Sequence, residues 1–511
     1  MRRLILLAAI AALSLSVAAQ KETWNWVFGE KAGLTWHYDK LRSMTLTGWD
    51  GTLPATLDSL PGSFKTAAEE IPRGGYSVSD KEGNLLFYSN GNTIWNGIGE
   101  QIITNLITDF GRGSGAQQPG IAIPYPGSPG KYICLGLSYR NGNKLRYCVV
   151  RANSPSDVTV ETTPRGLFSG NQGYLGEAMT AIRHANGTDW WIVAPSRLPN
   201  NNALNAWLVN REMQASSTPV ITPIPANKDF KYDNTGGIKF SPDGKCFAWG
   251  FCQCYPGMLI GNFDASTGRF SNIRVVDFEN NLWVGDVEFS PSQEYLYAAV
   301  SSLLEQYAGI YIWNLQALLD GTTITHRIIP PPRGYRYYGM QLDRFGRIWG
   351  AIRYAFNEPG NTLFVIDNPD AKPDEVNIYD TGLDFLVSGT YTTLSLPSFS
   401  ASFFAVNATF EPTTPCMKDP VTFTATVSVG TGVSKITSLE WNFGDGSPVE
   451  TDTNISSEYS KPHTYTKPGT YTLTITPYRA DGKAVTSRIA TQEIKVYPCV
   501  MPVNPNVHMY N

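Results

Sequence analysis

Charge is scarce in this chain of 511 residues: only 16% are Asp, Glu, Lys or Arg, and the formal net charge is −4. No run of Lys or Arg forms a basic stripe, which argues against nucleic acid or an anionic membrane surface as a partner. Histidine is nearly absent, with His37, His184, His326, His463 and His508 the full set. None is spaced from another as metal ligands are, and no H-E-x-x-H occurs, so neither a metal nor any cofactor is expected. A G-x-S-x-G nucleophile elbow, a G-x-x-x-x-G-K-[ST] phosphate loop and an EF-hand loop are missing too, and Gly113-Ser114-Gly115 reads as a loop. After the first twenty residues no apolar run approaches about 18 residues, so no transmembrane helix is expected.

What the chain has instead is turns and aromatic rings. Forty-seven Gly and 34 Pro are spread without a low-complexity block, 12% of residues are aromatic and 42% are hydrophobic. That composition suits a large all-β core with many short connections. The pattern is clearest at Gly237-Ile238-Lys239-Phe240-Ser241-Pro242-Asp243-Gly244-Lys245-Cys246-Phe247-Ala248-Trp249-Gly250, where alternation breaks at Ser-Pro-Asp-Gly and resumes, as in a β-hairpin. Asp243 belongs to the turn in this reading and not to an ion site. Gly285 to Tyr297 and Gly339 to Gly350 repeat the order. A recurring hairpin at roughly 50-residue spacing is the signature of a β-propeller.

Six units can be counted, starting near Tyr76, Gly120, Ala178, Gly236, Gly285 and Gly339. Ser398 to Phe404 then reads as a final strand with no partners. Open strand edges invite aggregation, so the ring is expected to close with the N-terminal strands Trp24 to Gly29 and Ala32 to Tyr38. Residues 40 to 72 read as irregular. The expected architecture is all-β: a signal peptide at 1–19, a β-propeller of about seven blades at 20–405, a second domain at 406–499 and a tail at 500–511.

The signal peptide rests on Arg2-Arg3, the apolar run Leu4 to Leu15 and Val17-Ala18-Ala19 before Gln20. Export permits disulfides. Cys134 and Cys148 flank the turn Arg140-Asn141-Gly142-Asn143 and are one candidate pair; Cys416 and Cys499, at the two ends of the second domain, are another. Cys246, Cys252 and Cys254 remain. Cys252-Gln253-Cys254 lacks the usual zinc-ligand spacing.

In a propeller, residues just before each innermost strand converge on one mouth of the central channel. This reading gathers Arg73, Tyr76, Gln117, Gln118, Tyr174, Glu177, Tyr232, Asn234, Trp283, Asp286, Arg336, Tyr337 and Tyr338 as a candidate binding set. Rings, Arg and amides are what a protein- or sugar-recognition surface uses, and they are also what blade packing uses. No catalytic residue is assigned. Glu177 and Asp286 are the acids nearest the inner strands, and a glycosidase pair would leave no spacing signal.

Two stretches carry a family resemblance. Trp26-Val27-Phe28-Gly29 with Ala32-Gly33-Leu34, then Ser79-Asp80-Lys81-Glu82-Gly83-Asn84-Leu85-Leu86-Phe87-Tyr88-Ser89-Asn90-Gly91 and Ile94-Trp95-Asn96, resemble the N-terminal propellers of large exported surface proteins of the Bacteroidota. Leu439-Glu440-Trp441-Asn442-Phe443-Gly444-Asp445-Gly446, with Lys461-Pro462-His463-Thr464-Tyr465 and Gly469-Thr470-Tyr471, is similar to the PKD family of Ig-like sandwiches. These resemblances imply a non-enzymatic binding or scaffold protein at the cell surface, on the outer membrane or in the periplasm. Its partners would be other envelope or surface proteins, or glycan, in the setting of type IX secretion or gliding. The sorting domain that usually follows is not expected in so short a tail. The rival expectation is a secreted propeller hydrolase or lyase acting on polysaccharide, with the PKD domain appended.

Overall fold

The computed structural model describes residues 21–498 apart from 50–51, 69–70, 72, 108–115, 139–144, 168–173, 198–201, 213–217, 225–235, 251–256, 279–281, 303–304, 323–325, 355–359, 405–414, 427–435, 454–457 and 486–488. The protein is all-β. Nine antiparallel sheets are formed by the described residues, seven before residue 381 and two after residue 415. Among the described residues no helix is long and apolar enough to cross a membrane.

Each of the six repeats read from the sequence is one meander. In the unit at Gly237, Ile238–Phe240 pairs with Cys246–Gly250, which pairs with Gly257–Asp264 and then Arg269–Asp277. The turn forms because Asp243 Oδ1 accepts from Lys245 N at 3.0 Å and from Ser241 Oγ at 2.7 Å, while Gly244 supplies the positive φ of 72°. Here we number the sheets by their first strand: sheet 1 from Asn25–Phe28, sheet 2 from Tyr76–Ser79, sheet 3 from Gly120–Pro124, and sheet 4 from Thr180–Arg183. Sheet 5 begins at Ile238–Phe240, sheet 6 at Trp283–Phe289 and sheet 7 at Tyr335–Leu342. These first strands pack on one another in sequence, each sheet's on the next, from sheet 1 through sheet 7. Trp36 of the sheet 1 segment meets Trp349 of sheet 7 edge-on, with ring centroids 6.0 Å apart, and brings the series back to its start.

The N-terminal segment behaves differently from the expectation. Asn25–Phe28 and Ala32–Thr35 do not complete the last C-terminal sheet; with Gly62–Lys65 they form a sheet of their own. The strands that extend sheet 7 are Arg42–Gly48 and Ala55–Leu60, through Thr47 opposite Asp380 and Gly48 opposite Tyr379. They lie in the stretch read as irregular. Ser43, Thr45 and Thr47 lie on the exposed face and Met44 and Leu46 on the covered one, the alternation of a strand with one wet face, which the reading as irregular overlooks. Arg347, with a side chain only 3% exposed, secures this addition: it donates to the Asp58 carbonyl at 2.7 Å and the Ser59 carbonyl at 3.3 Å, and pairs with Asp367 at 2.8 Å.

Ser398 to Phe404 is not a strand either. Residues 392–400 have no regular secondary structure, and 401–403 form one 3-10 turn. The segment is buried because its hydroxyls replace a ladder with scattered bonds to the first strands, as described below.

In the second domain, Val421–Thr426 pairs with Glu458–His463. A four-stranded sheet faces them, ordered Glu450–Asp452, Ile436–Asn442, Gly469–Arg479, Ala490–Val496. Trp441, Phe443, Phe423, Tyr465, Leu473 and Ile494 fill the space between. Alternate residues of Ile436–Asn442 point inward, which places Trp441 in the core, its Nε1 donating to Asp452 Oδ2 at 3.0 Å. Cys416 is disulfide-bonded, and Cys499 lies outside the described residues. Cys134 and Cys148 sit directly opposite one another on paired strands, both fully buried and both with free thiols. Cys246 is also a free thiol, and burial pushes it up to about 11.

Candidate functional site

The first strands converge on a polar cluster whose groups come from sheets far apart in sequence. Lys239, flanked by buried Ile238 and Phe240, carries its ammonium to Glu288 Oε2 at 2.7 Å, to Gln341 Oε1 at 3.4 Å and to the Met340 carbonyl. Asp286 Oδ2 lies 3.9 Å from the same ammonium and accepts from Met340 N at 2.9 Å; Oδ1 accepts from Val287 N at 2.9 Å. Glu288 accepts from Leu342 N and Phe289 N, both at 3.0 Å. Sheets 5, 6 and 7 are thus stitched together by one cation and two carboxylates. Burial raises the pKa of both Asp286 and Glu288, and Lys239 opposes the rise. Gly237 makes the close approach possible, since a Cβ there would fall 2.2 Å from Asp286 Oδ1.

Sheet 3 reaches in from another side. The Gln118 amide brackets the Ile238 peptide, accepting from its N at 2.8 Å and donating to its carbonyl at 3.0 Å. Gln117 donates to the Gly285 carbonyl at 3.3 Å and to Ser395 Oγ at 3.1 Å. Arg73 pairs with Glu177 at 3.3 Å, and the Glu177 carbonyl receives Gln118 N at 3.0 Å.

Residues 392–404 fill what remains. Thr393 Oγ1 donates to the Ile71 carbonyl at 2.7 Å; Gly339 N donates to the Leu394 carbonyl at 2.9 Å; Ser398 N donates to the Gly75 carbonyl at 2.7 Å. Ser400 Oγ donates to the Ala181 carbonyl at 2.8 Å and Ser402 Oγ accepts from Arg183 N at 3.0 Å. Along its length the segment therefore bonds to Ile71, to Gly339 of sheet 7, to Gln117 and Gly75 just before sheets 3 and 2, and to Ala181 and Arg183 of sheet 4. Phe399 packs on Trp26 and Phe403 on Trp190. Between Ser395 to Phe399 and the cluster of Gln117, Gln118, Lys239, Asp286 and Gln341, the free space is about 10 Å³. That is room for about one water molecule.

The residues singled out from the sequence fall into four groups. Arg73, Gln117, Gln118, Glu177 and Asp286 are drawn into the network just described. Tyr76 and Tyr337 are 1% exposed: Tyr76 packs with Cys134 and Cys148 between sheets 2 and 3, and Tyr337 meets the Phe364 ring at 4.8 Å. Both pack the core and do not line a mouth. Trp283, Arg336 and Tyr338 are half-buried on their strands. Tyr174 opens a two-residue strand, and its side chain lies outside the described residues, as do Tyr232 and Asn234 entirely.

Sequence reading passed over Lys239, Glu288 and Gln341, because a polar residue inside an alternating strand reads as solvent-facing. It passed over the serines of 395–402 too. Their alternation with Leu and Phe was the available signal, and it resembles an ordinary strand. Among the described residues no group of three or more His, Cys, Asp or Glu is placed to hold a metal ion.

In the second domain Asp445 forms a comparable polar group. Its Oδ1 accepts from Ser447 N at 3.0 Å and Ser447 Oγ at 2.6 Å, and its Oδ2 meets His463 Nε2 at 2.9 Å. The His463 ring stacks on Phe443, with centroids 3.8 Å apart and an interplanar angle of 3°. Partial burial would raise the Asp445 pKa, but the bonds from Ser447 and His463 outweigh it and hold the carboxyl below its ordinary value.

Residues 406–496 match the PKD domain family. No curated protein matches the chain in sequence. Among solved structures, the extracellular domain of a hybrid two-component system from B. thetaiotaomicron aligns at 11% identity with a TM-score of 0.35, covering 93% of this chain and 55% of that one. The chain thus spans about half the length of that relative. A protein described as a 6-phosphogluconolactonase from Bacteroides uniformis aligns at 14% identity with a TM-score of 0.37, covering 68% of this chain and 96% of that one. At such scores these likenesses carry no argument about function.

Proposed function

We propose that the chain is an exported, non-enzymatic binding or scaffold protein in which residues 20–405 form a seven-bladed β-propeller and the PKD domain serves as spacer or docking module. The serial packing of seven first strands, returning through Trp36 and Trp349, supports the ring. The observation that carries the role is the filled axis. A propeller enzyme needs its carboxylates open to substrate at the channel, whereas Asp286 and Glu288 are committed to Lys239 and to backbone N–H groups, and Glu177 to Arg73. The space left beside them admits about one water molecule and no sugar. Recognition then belongs to the rim and outer faces, where Arg73, Trp283, Arg336 and Tyr338 remain partly accessible. The partners are envelope or surface proteins or glycan, at the cell surface, the outer membrane or the periplasm, with the type IX secretion or gliding apparatus the most concrete setting.

A pull-down from native envelope should recover the protein with envelope partners; recovery as a free monomer alone would count against the proposal. Glu177→Ala and Asp286→Ala variants separate this reading from a polysaccharide hydrolase or lyase. Loss of a glycan-degrading activity in both, with the fold intact by circular dichroism, would favour the enzyme.

A further inference from the structure

The segment that fills the axis is also the segment that leads to the PKD domain, and the two facts belong together. Residues 392–404 are almost wholly buried, and their bonds fall on the first strands of sheets 4 and 7 and on Ile71, Gly75 and Gln117, which precede the first strands of sheets 2 and 3. Gly339 is shaped to receive the segment, since a Cβ there would lie 2.6 Å from Ser395 Cα. By contrast the described contact between the two domains is slight. Arg479 reaches Glu294 at 3.4 Å, with the Glu294 side chain 49% exposed. No apolar cluster among the described residues spans both domains. The Arg479 side chain is itself buried and also lies 3.7 Å from Asp481 of its own domain, so with Glu294 half in water the pair across the domains contributes about 1 kcal/mol or less.

We infer that residues 392–403 are an axial pin: they close the centre of the ring permanently and tether the PKD domain through the first domain's interior, with the surface contact between the domains contributing little. This rests on the ring geometry and not on the recognition role, so either can fail alone. A gating lid would be held by few contacts and leave a formed cavity behind it. Here the hydroxyl of Ser400 and the backbone of Leu394 and Ser398 are bonded on or just before first strands, and the remaining void is water-sized. The pin thus belongs to the slow-opening part of the fold, in the sense that only large-scale unfolding releases it.

The test uses the full chain with a protease site inserted at Ser388-Gly389, an exposed turn just before the pin in which Gly389 has φ of 75°. After complete cleavage in native buffer the C-terminal fragment should co-elute with the first domain on size exclusion, and amides of 394–403 should exchange as slowly as in the uncut protein. A second variant carries the same site within 406–413, beyond the pin. There cleavage should release the PKD domain. The inference is overturned if the first cut frees the C-terminal fragment while the first domain keeps its circular dichroism. It is overturned equally if the second cut leaves the PKD domain bound, because the surface contact would then hold it.

Discussion

Asp286 in the first domain and Asp445 in the second are both well covered carboxylates, and their surroundings push them in opposite directions. Asp286 has given up water for two backbone N–H groups and a cation that it shares with Glu288, and burial dominates, raising its pKa. Asp445 sits at a turn where Ser447 and His463 both donate to it, and hydrogen bonding dominates, lowering its pKa. The difference is one of desolvation. Asp286 has backbone N–H donors of its own, but it is withdrawn from water so completely that they and the shared cation do not offset the burial. Asp445 at its turn stays closer to water and gains the Ser447 and His463 bonds at a smaller desolvation cost. Polar groups near the axis of the first domain therefore specify how sheets sit against one another, at some cost in stability, whereas the PKD turn gains stability from its acid.

The sharpest way to break the comparison is to remove the cation. Lys239→Met would leave Asp286 and Glu288 buried without it and should destabilise the first domain by about 3–5 kcal/mol, read as a lower urea midpoint in that domain's transition with the PKD transition unmoved. The matching loss in the second domain comes from its core. Trp441→Ala should cost about 3–5 kcal/mol and lower only the PKD transition in calorimetry. Filling the axis further is less severe: Gly339→Ala forces its Cβ against the Ser395 backbone and should cost about 1–3 kcal/mol by overpacking.

The pH response sharpens the comparison directly. Raised carboxylates contribute stability that is fully present below their unfolded pKa and lost as pH rises through the folded values. A lowered carboxylate contributes stability that is present above its unfolded pKa and lost as pH falls through the folded value. Between pH 7 and about pH 4, therefore, Asp286→Asn should compare worse with the parent at the acid end, whereas Asp445→Asn should compare better at the acid end of a lower window, from about pH 4 down to about pH 2. Urea titrations of the two transitions at both ends of each window check this, and a shift of the same sign in both would refute the contrast. The smallest effect is expected from Arg479→Ala, whose partner Glu294 is half-exposed: at most about 1 kcal/mol, vanishing at high salt.

How far the sequence could be read follows the same division. Ser241-Pro242-Asp243-Gly244 gave its hairpin correctly because turn chemistry is local, whereas the core positions of Trp441 and Phe443 follow from the resemblance of their motif to the PKD family. Arg42–Gly48 and Ala55–Leu60 pair with one another, and their place was not legible because the strand that Arg42–Gly48 joins, Ile378–Asp380, lies more than three hundred residues away and nothing local marks that pairing. Tyr76 and Tyr337 were read as mouth residues from their position before or within the first strands, but alternation does not say whether the space they face is open. The axis was the least legible part. Lys239 and the serines of 395–402 look solvent-facing in a strand, and only the packing of the first strands on one another and on 392–404 shows that the space they face is filled by the chain itself.

The joining of Arg42–Gly48 and Ala55–Leu60 to a sheet that ends at Asp380 also sets a timetable. Arg42 donates to the Phe385 carbonyl, 343 residues further along, and Thr393 to the Ile71 carbonyl, 322 residues back. During synthesis or passage across a membrane, the N-terminal hairpin has no partner until residue 380 has emerged. Until then its strand edge stays open, and the axis stays empty until residue 403 follows. Contacts of such separation make for slow folding, with loop closure preceding any return in contact energy. The first domain is accordingly a late folder, vulnerable to edge-to-edge association while it waits, and its final joint and its central segment should become protected from exchange together.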